Sequence, residues 1–185
     1  MVHRDKEDCS KPMLTNENKN SSEIYSLIGK MLREHNSEEY FNRIVKLLEQ
    51  PEVMNKNNYA IDYLFRKAGL GVMFDVSTNS FLSAFMHLRT GMVRSGVISP
   101  YRCELPCEIF VDDNRFEVQR KIGLEPESTT QVPGPSPDAP RDLCDVYKFD
   151  GMQLRFLFDG AQGELVSVSC RRQLEPKNTS PFVSI

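Results

Sequence analysis

Cys103-Glu104-Leu105-Pro106-Cys107 places two thiols four positions apart, a spacing from which a metal site could begin. A structural zinc site needs four nitrogen or sulfur ligands, and no second close pair of cysteine or histidine accompanies these two, so ordinary thiols are expected and no metal or cofactor is assigned. His3, His35 and His87 are scattered, and His87 stands among Phe81, Phe85 and Met86, where a half-buried packing histidine fits better than a catalytic base. Asp75 and Asp159 could be drawn as a paired acid and base. Each, however, follows the last apolar residue of an alternating run, where aspartate commonly starts a turn. No glycine-rich phosphate loop, Gly-x-Ser-x-Gly elbow or His-Glu-x-x-His helix occurs. The expectation is a protein that binds without catalysing.

Charge indicates what it would bind. Residues 97–170 carry 13 Asp and Glu against 7 Lys and Arg, while residues 1–96 sum to +1 and residues 171–185 to +2, within a formal net charge of −3. A surface of that sign repels nucleic acid and steers basic protein partners, including nucleases whose own surfaces are positive. Glu104, Glu108, Asp112, Asp113, Asp138, Asp142, Asp145 and Asp150 gather around the strand ends and the long loop of this half. They are acceptors for the Arg and Lys of a partner, and Tyr101 and Tyr147, if exposed, would supply the aromatic contact area. The competing expectation is an adaptor that self-associates, for example as a homodimer, through a sheet edge.

These groups must be positioned by an α+β scaffold. Ile24, Leu27, Ile28, Met31 and Leu32 recur at helical spacing. A second helix follows, with Ser37 as cap, Glu38 and Glu39 in its first turn, Phe41, Ile44, Val45 and Leu48 on its buried face, and Pro51 as its stop. From Tyr59 the period becomes two, and runs to Phe65, from Leu70 to Phe74 and from Phe81 to Leu88, separated by turn residues, predict a three-stranded meander. After a linker over 90–106, Cys107–Val111 reads as a short strand. Asn114 and Glu117 then form a capping box for a helix bearing Phe116, Val118 and Ile122, closed by Gly123. Pro133, Pro135, Pro137 and Pro140 predict an extended loop over 128–142. Strands follow at Asp145–Phe149, Met152–Phe158 and Glu164–Cys170, and the last fifteen residues read as a tail.

Tyr63, Phe65, Leu70, Val72, Phe74 and Asp75 are each matched 84 positions later by Tyr147, Phe149, Leu154, Phe156, Phe158 and Asp159. Ser83 and Ser167 keep the same offset, and Phe41, Leu47, Pro51 and Glu52 match Phe116, Ile122, Pro126 and Glu127 at an offset of 75. Self-similarity of this kind predicts two tandem α+β repeats, over residues 21–96 and 97–172, after a loose tail over 1–20.

The unit carried by Phe116–Pro126, Tyr147-Lys148-Phe149, Leu154–Asp159 and Leu165–Val168 resembles the repeat of beta-lactamase inhibitory protein and of outer-membrane assembly lipoproteins. The stretch Leu105-Pro106, Ile109-Phe110 and Asp113–Gly123 also looks like the central region of bacterial toxin immunity proteins. In all, the resemblance spans about residues 38–172. It implies inhibition by occlusion, in which a sheet and its loops cover a toxin's active site. No apolar run approaches the roughly 20 residues of a membrane helix. Met1–Asp5 lacks the apolar core of a signal peptide, and five irregularly spaced cysteines fit reduced thiols, so a cytoplasmic location is expected.

Overall fold

Alternation at period two, broken by short turns, accounts for most of the strands of this chain. The computed structural model describes residues 16–34, 37–93, 96–133, 138–149 and 151–173. They form helices α1 (Asn16–Arg33), α2 (Ser37–Leu48) and α3 (Arg115–Ile122). The first strands are β1 (Glu52–Lys56), β2 (Ala60–Phe65), β3 (Leu70–Asp75), β4 (Phe81–His87), β5 (Gly91–Val93) and β6 (Gly96–Ile98). The later ones are β7 (Ser128–Val132), β8 (Asp142–Phe149), β9 (Met152–Phe158) and β10 (Leu165–Arg172). Eight of the ten strands make one antiparallel sheet in the order β1-β2-β3-β4-β10-β9-β8-β7, and β5 with β6 makes a separate hairpin. The α+β class predicted from the residues is the one adopted.

β4 and β10 lie side by side at the centre, with Met86 opposite Val168 and Ala84 opposite Cys170. On one face the alternating residues Leu70, Val72, Ala84, Met86, Val168, Leu154 and Phe156 are buried, and they meet Ile24, Leu27, Ile28 and Met31 of α1 in a single core. α2 adds Ile44, and its Phe41 ring lies 4.9 Å from that of Tyr63 and 5.0 Å from that of Phe74. Ser37, the expected cap, is the first helical residue. It is buried, and its hydroxyl accepts from the Phe81 amide of β4. The free carbonyls at the end of α1 are satisfied from the sheet, as Arg172 of β10 donates to the Leu32 carbonyl at 2.8 Å and to that of Glu34 at 3.0 Å.

The second half keeps the predicted capping box, with the Asn114 side chain accepting from the Glu117 amide and Glu117 accepting from the Asn114 amide. Gly123 caps the other end in the left-handed region. Val118 is buried as expected. Phe116 is not, being 74% exposed, so it does not take the place that Phe41 takes on α2.

Four further expectations are corrected. β1, unassigned from the sequence, extends the meander to four strands; its bulge between Val53 and Asn55 interrupts the alternation by which a strand is recognised. The supposed linker over 90–106 contains the β5–β6 hairpin. Cys107–Val111 is not a strand: Cys107 and Glu108 have φ of 59° and 54°, incompatible with extended backbone, and a 3-10 turn over Pro106–Glu108 delivers Ile109 to the core while Phe110 faces solvent. Finally, the loop expected over 128–142 is partly sheet, because Ser128–Val132 pairs with Asp142–Val146 ahead of the first proline. Residues 134–137 lie outside the described residues, as do 1–15 and 174–185 of the two expected tails; residues 16–20 belong to α1.

Pairing registers qualify the internal matches. Val72 pairs with Ala84, and Phe156 with Val168, so the 84-residue offset holds across both hairpins. Tyr63 pairs with Val72, but Tyr147 pairs with Leu154 rather than Phe156. Between corresponding sheet positions the path from β8 to β9 is therefore two residues longer than that from β2 to β3, since Phe65 and its partner Leu70 are five positions apart and Tyr147 and its partner Leu154 seven. In the sheet it is Phe65, not Tyr63, that corresponds to Tyr147.

Candidate partner-binding face

All three helices pack on one side of the sheet or against its end, and the opposite residues of the same alternation line a broad open face. At its β1 end, Met54, Asp62, Leu64, Met73 and His87 meet Ile98 of β6 around a hollow of about 250 Å³. At its β7 end, Thr130, Cys144, Val146, Lys148 and Arg155 line another of about 480 Å³. Between them runs a groove of about 280 Å³, bordered by Met73, Leu82, Phe85, Arg155 and Arg171. Phe85 is 38% exposed at the sheet centre, a cost in hydration that a partner would relieve.

The face is electropositive in its second half. Lys148 is 2.5 Å from Glu127, whereas the Arg155 guanidinium donates to the side-chain oxygen of Gln153, at 3.2 Å, and has no carboxylate partner among the described residues. At the β1 end, burial pushes the His87 imidazole below its ordinary pKa, keeping it neutral at pH 7 in the half-buried packing role expected for it. One Asp62 carboxylate oxygen there is buried without a hydrogen bond among the described residues.

A strap joins this face to the core. Ile98 is buried against the open face, and Tyr101, three residues on, is buried in the helix-side core. In passing, the Ser99 amide donates to the Arg66 carbonyl at 3.0 Å and the Tyr101 amide to that of His87 at 2.6 Å. The chain crosses directly over Gly69, in the turn between β2 and β3.

The residues expected to contact a partner are not brought together. Tyr101 and Tyr147 are each 1% exposed and cannot present a ring to another protein. Burial, and then the neighbouring Asp145 carboxylate, push the Tyr147 phenol up to about 12. Asp113 is bound to Lys121 at 2.6 Å and accepts from the Phe110 amide. Asp145 is held by Arg115 at 2.6 and 2.8 Å and by Thr129, and Asp142 accepts from the Gly160 amide at 3.0 Å. These carboxylates hold the fold together instead of awaiting a partner. Glu104, Glu108, Asp112 and Asp138 are exposed, and Asp150 lies outside the described residues. The open-face groups Phe85, Arg155 and Arg171 were missed because alternation separates two faces without saying which one the helices cover.

Asp75 and Asp159 are turn formers, as their positions predicted. Asp75 accepts from the hydroxyls and amides of Ser77 and Thr78, and Asp159 from the amides of Ala161 and Gln162. Those bonds, the Ser77 hydroxyl foremost, hold the Asp75 carboxyl down at about 2. A carboxyl depressed in the folded state stabilises above its unfolded pKa, near 3.9, and loses that contribution as pH falls through the folded value. Asp75→Ala is therefore expected to melt below wild type at pH 7, with the gap closing between pH values of about 4 and 2; calorimetry over that range measures it, and a constant gap would contradict the turn's role.

Among the described residues no cluster of His, Cys, Asp and Glu could hold a metal ion. Burial raises the thiols of Cys103, Cys107 and Cys144 and pushes that of Cys170 to about 12, which leaves them protonated and poorly nucleophilic.

Fold and site together define a class: an α+β protein with helices on one face of an eight-stranded antiparallel sheet and the other face open. No protein-family model matches the chain, and no curated protein matches its sequence. Among solved structures it is similar to an extracellular protein containing a SCP domain from Bacillus anthracis, with a TM-score of 0.49 and 11% identity over 93% of this chain and 50% of that one. It is also similar to a DUF4309 family protein from Bacillus subtilis, with a TM-score of 0.43 and 14% identity over 84% of this chain and 99% of the other. The chain spans about half the length of the first. Among the described residues no helix is long and apolar enough to cross a membrane.

Proposed function

We propose that this protein works by binding another protein across the open face of its sheet, as an immunity protein that covers the active site of a cognate toxin. The observation that carries this reading is the face itself, an apolar strip of Met73, Leu82 and Phe85 continuing into Arg155 and Arg171, framed by hollows on both sides. Apolar area with charged groups beside it is the make-up of a binding hot spot. On this reading the sheet arose by duplication, supported by the shared offset of the β3–β4 and β9–β10 pairings and by the like turns at Asp75 and Asp159.

The partner's contacting surface is acidic or apolar where it meets this face. A basic effector could use Glu104, Glu108 and Asp112, which belong to the loop that packs beside α1. The adaptor reading has its own support in β7, an exposed edge strand with neither proline nor charge between Ser128 and Val132.

Co-expression with each reading frame that adjoins the gene, to find one that is toxic alone, tests the proposal. Wild-type protein is expected to restore growth and to co-purify with the toxin, and Phe85→Glu to abolish both while retaining the wild-type melting temperature. The proposal fails if a folded Phe85→Glu variant still protects. It also fails if wild type assembles with itself, concentration-dependently, without protecting.

A further inference from the structure

The central groove of the open face brings together two guanidinium groups that have no counter-charge among the described residues. Arg155 of β9 stands opposite Ser169 of β10, and Arg171 lies two positions further along β10. Residues in that diagonal relation are about 7–8 Å apart at the backbone, close enough for like charges to repel. Among the described residues neither arginine has a carboxylate within ion-pair distance. The acids elsewhere on this face are bound or remote, since Glu127 holds Lys148, Glu52 holds Arg66, and Asp62 sits on β2, three strands from β10.

Hydroxyls complete the setting. Ser83 of β4 stands opposite Arg171, is 6% exposed, and makes no side-chain hydrogen bond among the described residues. Ser169 lines the same groove, and Met73, Leu82 and Phe85 form its apolar border. Two planar donor forks beside an unpaired hydroxyl match an oxyanion, and the apolar border matches a hydrocarbon group attached next to it.

We infer that this groove receives a carboxylate of the partner protein, an Asp or Glu side chain flanked by an apolar or aromatic residue that lies on Phe85. The carboxylate stands between Arg155 and Arg171 and accepts from Ser83, relieving the repulsion between the two cations. This inference rests on the sheet-face reading for the source of the carboxylate. Its test is made without the partner, so that the two can fail separately.

The probes are the blocked tripeptides acetyl-Leu-Glu-Phe-amide and acetyl-Leu-Gln-Phe-amide, titrated into the full chain at constant ionic strength and followed by amide NMR shifts. The Glu peptide is expected to saturate with a Kd of about 1 mM or tighter, shifting the amides of Ser83, Phe85, Ser169 and Arg171, and the Gln peptide to bind at least about tenfold more weakly. Arg155→Gln and Arg171→Gln should each weaken the Glu peptide by about tenfold while leaving the Gln peptide unchanged. Phe85→Ala should weaken both peptides alike. Equal binding of the two peptides overturns the inference, as does absence of Glu-peptide binding at about 10 mM. Saturable binding of phenyl phosphate in the groove without binding of the Glu peptide overturns it in favour of a phosphoryl group. If the Glu peptide binds as expected while Phe85→Glu still protects against the toxin, the groove stands and the sheet-face reading falls.

Discussion

Gly69→Ala is expected to destabilise the protein by about 3–5 kcal/mol, combining a left-handed backbone position with a steric collision. Gly69 has φ of 64°, and a Cβ there would lie 2.4 Å from the Ser99 carbonyl oxygen and 2.5 Å from the Tyr101 amide nitrogen. Both obstacles are backbone, so neither can turn aside as a side-chain end would. Relief requires the strap to lift, which would pull Tyr101 from the helix-side core and Ile98 from the open face. Gly163→Ala is the internal control, because Gly163 has φ of 69° but nothing within 4 Å of the added carbon. It should cost only the conformational part, about 1–2 kcal/mol. Urea unfolding of the two variants measures the difference. Equal losses would show that the strap does not depend on Gly69.

Arg115→Ala is the other large effect, expected at about 3 kcal/mol because it leaves a buried carboxylate without its cation. Asp145 is 1% exposed, and without Arg115 only the Thr129 hydroxyl would contact it among the partners described. The Arg115 side chain is 42% exposed, so water can reach the vacated space and the loss falls at the lower end of the range for buried pairs. Removing both charges should be milder than removing one. Asp145→Val combined with Arg115→Leu is expected to recover most of the stability, since the expense lies in the orphaned charge more than in the pair. Denaturant melts of the single and double variants at pH 7 measure this. A loss below about 1 kcal/mol for Arg115→Ala would mean that the pair is a solvated surface contact.

Both variants touch features that explain how far reading along the chain could go. The helices, the Asn114 capping box and the turns at Asp75 and Asp159 were legible because each is made by residues within a few positions of one another. Helical period, cap chemistry and aspartate turns are local physics. β1 was hidden by its bulge, and Cys107–Val111 was misread because two consecutive positive φ values at Cys107 and Glu108 leave no mark in residue type.

The candidate site was harder to foresee. Acidic residues around the second half were visible as a charge excess, but Asp113, Asp142 and Asp145 are bound to Lys121, the Gly160 amide and Arg115. Two of these partners lie more than ten positions away in the chain, and nothing in a linear count shows which acids they engage. Whether Tyr101 and Tyr147 are exposed is not written in residue type: Tyr147 stands in an alternating run that can face either way, and Tyr101 in a connecting stretch with no period, and both are buried.

By itself the sequence determined the α+β character, the caps of α3 at Asn114 and Gly123, the turn-forming aspartates, and the sorting of strand residues into two alternating sets. Only the tertiary structure decided which set became core. That choice depends on α1 crossing β4 and β10, and on β10 pairing with β4 more than eighty residues earlier in the chain. Contacts of such separation carry no local period, so the exposure of Phe85, Arg155 and Arg171 emerges only once the sheet has assembled.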